Sequence, residues 1–545
     1  MKTSHTGAAP QPAPTALSTL PALPDRADLQ QLKRQARELL RAWQAGDPAS
    51  LARAAPYRCA DTATPPQLNL AQLVIARELG YPSWPALQRA AVAQQEAREL
   101  DAAALVTRAL ALIVGRGWDS PQPERALALL QHLRGPCPPA LRPALALVRG
   151  ELDQLDALPP PTQRLPPFDA PALAYVCFSS LHRLGEPWAA RLLHSAQTLL
   201  AQAAALAHAA MPEPALEAPV AARGLPLLYG AIARAQSTAL AAALLAAGAE
   251  PNDDESLYHA CEDPDRARAA EQMRQLIAHG ARWQGTNALL RLLDFEDPAN
   301  LALALSLGAD VNEAGPGGAT ALHHALRRGR SEACLSLLLA HGANLAARDA
   351  EGRTPATLAA LLGEVSALAL LAAHGARPEL ASAGQRFLAA CAAADEPGAL
   401  ALLQAQPELL AQLPASALRL LPDQAQRRAP ASVALMLRLG WPVAVPGDWE
   451  ASALNQAAFN GDPALIQVLL THGAHWEERN GYGGDVMGSL LHAAAHLPQP
   501  GADYLASLQL LLAAGAPRPA AEEREDLPDV LQAWLEASDA QTPPP

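Results

Sequence analysis

Aromatic side chains are scarce in this chain: Phe, Trp and Tyr make up 4% of its 545 residues, although half of all residues are apolar. A core drawn from Ala, Leu and Val needs close approach between elements, which suits tightly stacked helices. Charge is sparse too, at 17%, and its balance is acidic, with a formal net charge of -13. That excludes a general phosphate-binding surface, so no nucleic-acid partner is expected. The six cysteines, Cys59, Cys137, Cys177, Cys261, Cys334 and Cys391, lie far apart and form no CxxC pair. Neither a zinc knuckle nor a disulfide framework is indicated, and reduced thiols in a cytoplasmic protein are expected. No apolar run reaches the ~18–20 residues that cross a bilayer; "TALAAALLAAGA" (238–249), for example, ends at glycine. The opening "MKTSHTGAAPQPAPTALSTLPALPD" is broken by prolines, lacks the apolar core of a signal peptide and reads as a disordered tail. No G-x-S-x-G elbow, P-loop, G-x-G-x-x-G or HExxH is present, so no cofactor or metal is expected.

What recurs is "LL…GA". It is found at "ALLAAGAEPN" (Gly248), "QLIAHGARWQ" (Gly280), "LALSLGADVN" (Gly308), "SLLLAHGANLAARD" (Gly342), "LALLAAHGARPE" (Gly375), "LMLRLGWPV" (Gly440), "QVLLTHGAHWEERN" (Gly473) and "LQLLLAAGAPRP" (Gly515). The intervals are 32, 28, 34, 33, 65, 33 and 42 residues, and "LALLQAQPELL" (400–410) fills the double one. A second marker opens several units: "TALHHA" (320–325), "TPATLA" (354–359), "SALNQA" (452–457) and "SLLHAA" (489–494). From the last alanine of that marker to the glycine is 16 residues in two units (359 to 375, 457 to 473) and 17 in another (325 to 342). Thr or Ser can cap a first helix, Pro is tolerated in its first turn, and the alanine lets two helices approach. Leu368, Leu370 and Leu371 form an apolar stripe, as do Val468, Leu469 and Leu470. A single helix pair cannot bury such a stripe, so neighbours must stack. The glycine ends the second helix with a positive φ, and the following residues project as a finger toward the next unit.

These residues resemble the ankyrin-repeat family, whose period is near 33, from about Arg223 to Pro519. The resemblance implies an all-α fold, an α-solenoid of stacked helix-turn-helix repeats whose concave side of finger tips and first helices binds proteins, and it implies no catalysis. The units of Gly280, Gly308 and Gly440 lack the Thr-Pro-Leu-His opening, and the Gly515 unit carries the insertion "LPQPGAD". Upstream, 108–118, 143–158 and 170–202 read as eroded helix pairs, with "LPPPTQRLPPFDAP" as a loop or finger insertion. The stretch "LQQLKRQARELLRAWQAG", restarting after Asp47-Pro48, and "QLVIARELGYPSW" resemble an N-terminal helical module that precedes ankyrin repeats in many bacterial proteins. The expected organisation is a disordered tail (1–25), the helical module (26–95), degenerate helical or ankyrin-like repeats (96–222), the ankyrin array (223–520), and a C-terminal cap with a disordered end (521–545).

Candidate chemistry is thin. His323, His324, His259, His492 and His496 could form a metal row, but His323 and His492 occupy the motif histidine, which the resemblance makes a hydrogen-bonding residue between repeats. "GYGGDVMG" (481–488) has no lysine to meet a phosphate and reads as a turn. Cys177, Cys261 and Cys391 fall on apolar helical faces and read as core. Binding remains. Trp283, Trp441 and Trp476 follow a helix-ending glycine directly or within three residues, where a finger begins. Exposed there, they would anchor a partner; the plainer alternative is that they fold back onto the next repeat. Glu313, Arg348, Arg353, Glu477, Glu478, Arg479 and Tyr482 would share that rim, while Arg327 and Arg328 read as a solvated face.

The favoured expectation is a cytoplasmic, bacterial, monomeric interaction protein that holds unidentified protein partners on its fingers, with no nucleic acid and no membrane. Two rivals stand beside it: a small catalytic or ligand-binding domain within 28–222 carried by the repeats, and a secreted effector.

Overall fold

Where the helices begin and end is written in short polar and glycine signals. In the computed structural model, which describes residues 23, 28–57, 68–117, 119–218, 220–520, 522–524 and 527–541, Asp28 caps the helix Leu29–Gln44 by accepting from the Gln30 N–H. Gly46 turns the chain with a φ of 77°, and Asp47 caps the next helix, Pro48–Ala54, through the Ser50 N–H at 2.8 Å. Leu32, Ala36, Leu39 and Trp43 lie on one face of the first helix, buried with Val74 and Ile75 of Leu68–Glu78 and with Leu87 and Ala90 of Trp84–Ala97. The tail expected over 1–25 lies outside the described residues except for Leu23, which joins this core; Cys59 and 542–545 lie outside them too.

The fold is an all-α repeat solenoid in class, and the chain divides into two compact units, 1–253 and 254–545. The division falls inside the 223–520 stretch that the marker glycines join. Its cause is that Leu227–Tyr229 packs on Ala172–Cys177, and Thr238–Ala246 on Trp188–Gln202, so the helices before Gly248 belong with the upstream pairs.

In the first unit the Pro-rich insertion carries a small antiparallel ribbon, Arg164–Leu165 against Ala170–Pro171, and a second ribbon pairs Ala210–Met211 with Leu225–Pro226. The Tyr175 hydroxyl donates to the Leu165 carbonyl at 2.8 Å, and its ring stacks on Phe168. Gly230 is required by packing: a Cβ there would lie 2.5 Å from the Phe178 ring. The fully buried Ser179 and Ser180 donate to the carbonyls of Val148 and Ile113, both at 2.6 Å, so the ends of two helices are satisfied by side chains.

The second unit stacks helix pairs. They run Ser256–Cys261 with Arg266–Ala278, Ala288–Leu292 with Pro298–Ser306, Ala321–Arg327 with Glu332–Ala340, and Pro355–Leu362 with Val365–Ala373. They continue as Ala383–Ala392 with Glu396–Ala405, Leu420–Gln426 with Pro430–Arg438, Ala453–Phe459 with Pro463–Thr471, and Val486–His496 with Tyr504–Ala513. First helices pack on first helices, and outside the Glu396–Ala405 pair second helices pack on second, which buries Leu371, Leu465, Leu469 and Leu511 completely. Each buried leucine contributes on the order of 1.5–3 kcal/mol relative to exposure. The marker alanines Ala325, Ala359 and Ala457 are fully buried where the two helices of a pair meet. The helix Asp529–Gln541 closes the stack with Leu531 and Leu535 against the last pair.

His182 marks the least comfortable place in the first unit. It is buried, neither ring nitrogen has a protein partner, and burial pushes its pKa down to about 4. Because the folded value lies below the unfolded value of about 6.5, the stability tied to the neutral ring is complete above that pH and is lost as pH falls toward 4. Full protonation costs about 3 kcal/mol. His182→Leu, which has no proton to take up, is expected to flatten the fall of the urea midpoint between pH 6.5 and 4. An unchanged fall would assign the acid sensitivity to other groups.

Candidate functional site

All eight marker glycines adopt positive φ, from 83° at Gly342 to 96° at Gly280. At each, the residue after the glycine donates its N–H to a carbonyl five residues back, as Ala474 does to Leu469 at 3.0 Å and Trp441 to Met436 at 3.0 Å. This closure carries a buried side chain immediately after the glycine. Ala249, Ala281, Ala309, Ala343, Ala474 and Ala516 fill that place, and so does Trp441. The third residue after the glycine also turns inward, as Val311 does after Gly308.

This geometry corrects the expectation for two of the tryptophans. Trp283, three residues after Gly280, is 4% exposed, and its indole N–H donates to the Leu307 carbonyl at 3.2 Å. Trp441 is 2% exposed, stacks on Phe387 and donates to the Leu418 carbonyl at 2.9 Å. Trp476, in the same register as Trp283, is half-buried against the core. The positions of Trp283 and Trp441 are ones at which a finger folds back, so neither is a projecting anchor.

The other candidates divide. Glu313 accepts the Gly285 N–H at 2.7 Å and ties its finger to the preceding one. Arg348 reaches the next finger through Glu379 at 2.9 Å. Arg353 is held by Asp349 at 2.8 Å and by Glu351 at 2.5 Å. These three serve contacts between and within fingers. Glu477, Arg479 and Tyr482 gather on one finger, with Glu477 beside His475 at 3.4 Å and Arg479 donating to the Gly483 carbonyl at 2.7 Å. Arg348 makes the same bond to the Gly352 carbonyl, at 2.9 Å, six residues after its own glycine. Asp349 accepts from the N–H groups of Glu351 and Arg353, and Asn480 from those of Tyr482 and Gly484, so one turn design recurs in both fingers.

Sequence reasoning missed Trp449. It lies nine residues after Gly440, as Tyr482 lies nine after Gly473, and the two are the large exposed aromatics of neighbouring fingers, 58% and 82% exposed. Counting from the marker glycine was the signal that could have found it. The Gly481 N–H donates to the Trp449 carbonyl at 2.6 Å, which joins the two tips through their backbones. Trp449 and Glu450 both hold left-handed backbone, with φ of 54° and 56°. An L-residue pays about 1–2 kcal/mol for that conformation, and such strain concentrates at functional positions.

The first helices carry a paired polar surface. His259 contacts Glu255 at 3.5 Å and Glu262, Glu262 also holds Arg291, and Asp294 binds Arg291 at 3.0 Å, His324 at 2.9 Å and Arg328 at 2.7 Å. Burial works against the charged form of His259, but its carboxylate partners outweigh it and hold its pKa above the ordinary value. At His324 burial wins and the pKa is lowered. Burial opposes the Asp294 carboxylate too, yet hydrogen bonds from His324 and Arg291 keep its pKa low. Arg327 pairs with the buried Asp349 at 2.9 Å.

The polar residue three positions after each motif Thr or Ser stitches one unit to the next. The His323 ring accepts the Thr320 N–H at Nδ1 and donates from Nε2 to the Arg353 carbonyl at 3.0 Å; Thr357 accepts the Glu379 N–H at 2.8 Å, and Asn455 donates to the Glu478 carbonyl at 3.2 Å. His492 does not follow this pattern. Its helix starts at Val486, one turn before the motif, and His492 is exposed against His496. Among the described residues no group of His, Cys, Asp and Glu could hold a metal. Cys177, Cys261 and Cys391 are fully buried, and burial pushes the Cys391 thiol up to about 12.

A family model described as ankyrin repeats, in three copies, matches residues 293–382. Residues 293–382 carry ankyrin repeats. Such repeats generally act in protein–protein interaction and are typically non-catalytic. No curated protein matches the chain. Among solved structures, the human ASB11 ankyrin repeat domain is similar at 22% identity, over 42% of this chain and 99% of that one, with a TM-score of 0.21. The ankyrin repeat domain of Bcl-3, a member of the IkappaB family, is similar at 20% identity, over 44% of this chain and 94% of that one, with a TM-score of 0.22. Superpositions at these scores carry no argument, and the reading rests on the matched repeats and on the geometry of the fingers.

The strain at the Trp449 finger tip gives a direct expectation. Trp449→Gly relieves the left-handed backbone, offset in part by the extra freedom of glycine in the unfolded chain. It should raise the urea midpoint, corresponding to a gain in unfolding free energy of up to about 1 kcal/mol, although a large side chain is removed. A lowered midpoint would mean that the indole packs on the fold rather than standing free of it.

Proposed function

We propose that this chain is a protein-binding repeat protein whose second unit presents partner contacts on its fingers and performs no chemistry of its own. The observation that carries the reading is the pair Trp449 and Tyr482, large, exposed and in the same repeat position on adjacent fingers. Aromatics of this kind dominate interface energetics, and a rigid stack loses little entropy when it binds. The general use of ankyrin repeats in protein partner binding supports it. Within 28–222 the perturbed Glu213 has a structural occupation: it is held by Arg116 at 3.2 Å and by the Gly117 N–H at 3.1 Å, with burial raising its pKa. The acidic balance of the chain argues against nucleic acid. No helix among the described residues is long and apolar enough to cross a membrane. A cytoplasmic, monomeric life in a bacterium with a GC-rich genome is part of the proposal, motivated by the Ala-, Leu- and Arg-heavy composition and the absence of disulfide spacing.

The test is affinity capture from the soluble lysate of the source cell with the full chain, beside the double variant Trp449→Ala, Tyr482→Ala with an unchanged circular dichroism melt. A protein held by the chain and lost from the variant is expected. Equal retention by both would place the contact elsewhere, and retention by neither would contradict the reading.

A further inference from the structure

The surroundings of the two tip aromatics say what kind of group they face. Asp448 and Glu450 flank Trp449, and Glu477 and Glu478 precede Tyr482 on its finger. Asp448 is answered by Arg419 at 2.6 Å and Glu477 by His475 at 3.4 Å. Glu450 is exposed and has no cationic partner among the described residues, although its Cβ would stand only 3.6 Å from a Cβ built on Gly481, beside Tyr482. Arg479, the cation on the same finger, is turned back onto the Gly483 carbonyl. Two exposed aromatic residues and an unanswered carboxylate therefore stand on adjacent finger tips whose backbones are joined by the Gly481 to Trp449 hydrogen bond.

We propose that the Trp449 and Tyr482 tips receive a cationic segment of the partner protein, with an arginine or lysine side chain seated against the rings and Glu450 as its counter-ion. The proposal rests on the protein-binding reading above and names the chemistry of the partner. The negative face of an aromatic ring attracts a cation, and a carboxylate beside it adds a charge-assisted hydrogen bond. An arginine meets both demands, because its planar guanidinium stacks on a ring and forks to a carboxylate. A purely apolar partner would instead bury Glu450 without an opposing charge, which is costly. A phosphate-bearing partner would meet the rim carboxylates with like charge. The net charge of -13 for the whole chain draws the same cationic partner from a distance.

The experiment is selection of a random dodecapeptide library on the immobilised full chain, followed by affinity measurement of the recovered peptides on the chain and on two variants. One variant is Glu450→Lys and the other Trp449→Ala with Tyr482→Ala, both checked by circular dichroism for an unchanged melt. Recovered peptides are expected to be enriched in arginine or lysine over the unselected library. Their affinity should fall about tenfold or more on either variant, and should weaken as salt rises. Apolar or acidic peptides, or cationic ones indifferent to Glu450→Lys, would overturn the inference and leave protein binding standing. Failure to enrich any peptide would also overturn it, and the reading beneath would fall only if protein capture failed as well.

Discussion

A helix pair made of Ala, Leu and Val has more apolar surface than it can cover, and the rest of this structure follows from the need for a neighbour to cover it. Leu371, Leu465, Leu469 and Leu511 disappear only because the next pair stacks on them. Close approach requires small side chains at the crossing, which is the role of Ala325, Ala359 and Ala457. It also requires abrupt turns. Gly363 shows how tight they are: it holds a φ of 72°, and a Cβ there would stand 2.3 Å from the Ala392 carbonyl oxygen on the next first helix.

Once the stack is fixed, each finger inherits a register from the glycine that begins it. In the Gly440 and Gly473 fingers the first residue after that glycine is buried, the third is partly buried, and the ninth stands exposed at the tip. That register decides which aromatics can be touched by another molecule. Trp441 and Trp283 lie at the inward places and finish the core, while Trp449 and Tyr482 lie at the outward one. Recurrent polar devices hold the fingers in shape: Asp349 and Asn480 close the turns, Arg348 and Arg479 brace them, and His323, Thr357 and Asn455 join each unit to the next.

Much of this was legible in the residues. The period, the capping Thr or Ser and the glycines are local signals with local causes, so helix pairs and fingers could be placed before any coordinates. Exposure was less legible, because an aromatic near a turn has two directions open to it and only the closure after the glycine selects one. For Trp283 and Trp441 the sequence leaves anchor and fold-back both open for that reason, while Trp449, preceded by "PVAVPGD", carries no marker beyond its count from Gly440. The motif histidine misled in a similar way. His323 bridges units, but a helix that begins one turn early carries His492 to the surface. The unit boundary near Asp253 was illegible because the glycine period runs through it, and only the packing of Thr238–Ala246 on upstream helices reveals it.

The claim that the finger tips are where partners are met can be tested most directly by photo-crosslinking. A benzophenone amino acid placed at Tyr482 of the full chain would sit at the tip, and the same residue at Val365, 63% exposed at the start of a second helix, would sample a face with no proposed role. On irradiation in the soluble lysate of the source cell, the account predicts a discrete crosslinked protein from position 482 and none from position 365. The same products from both positions, or a product from 365 alone, would contradict it.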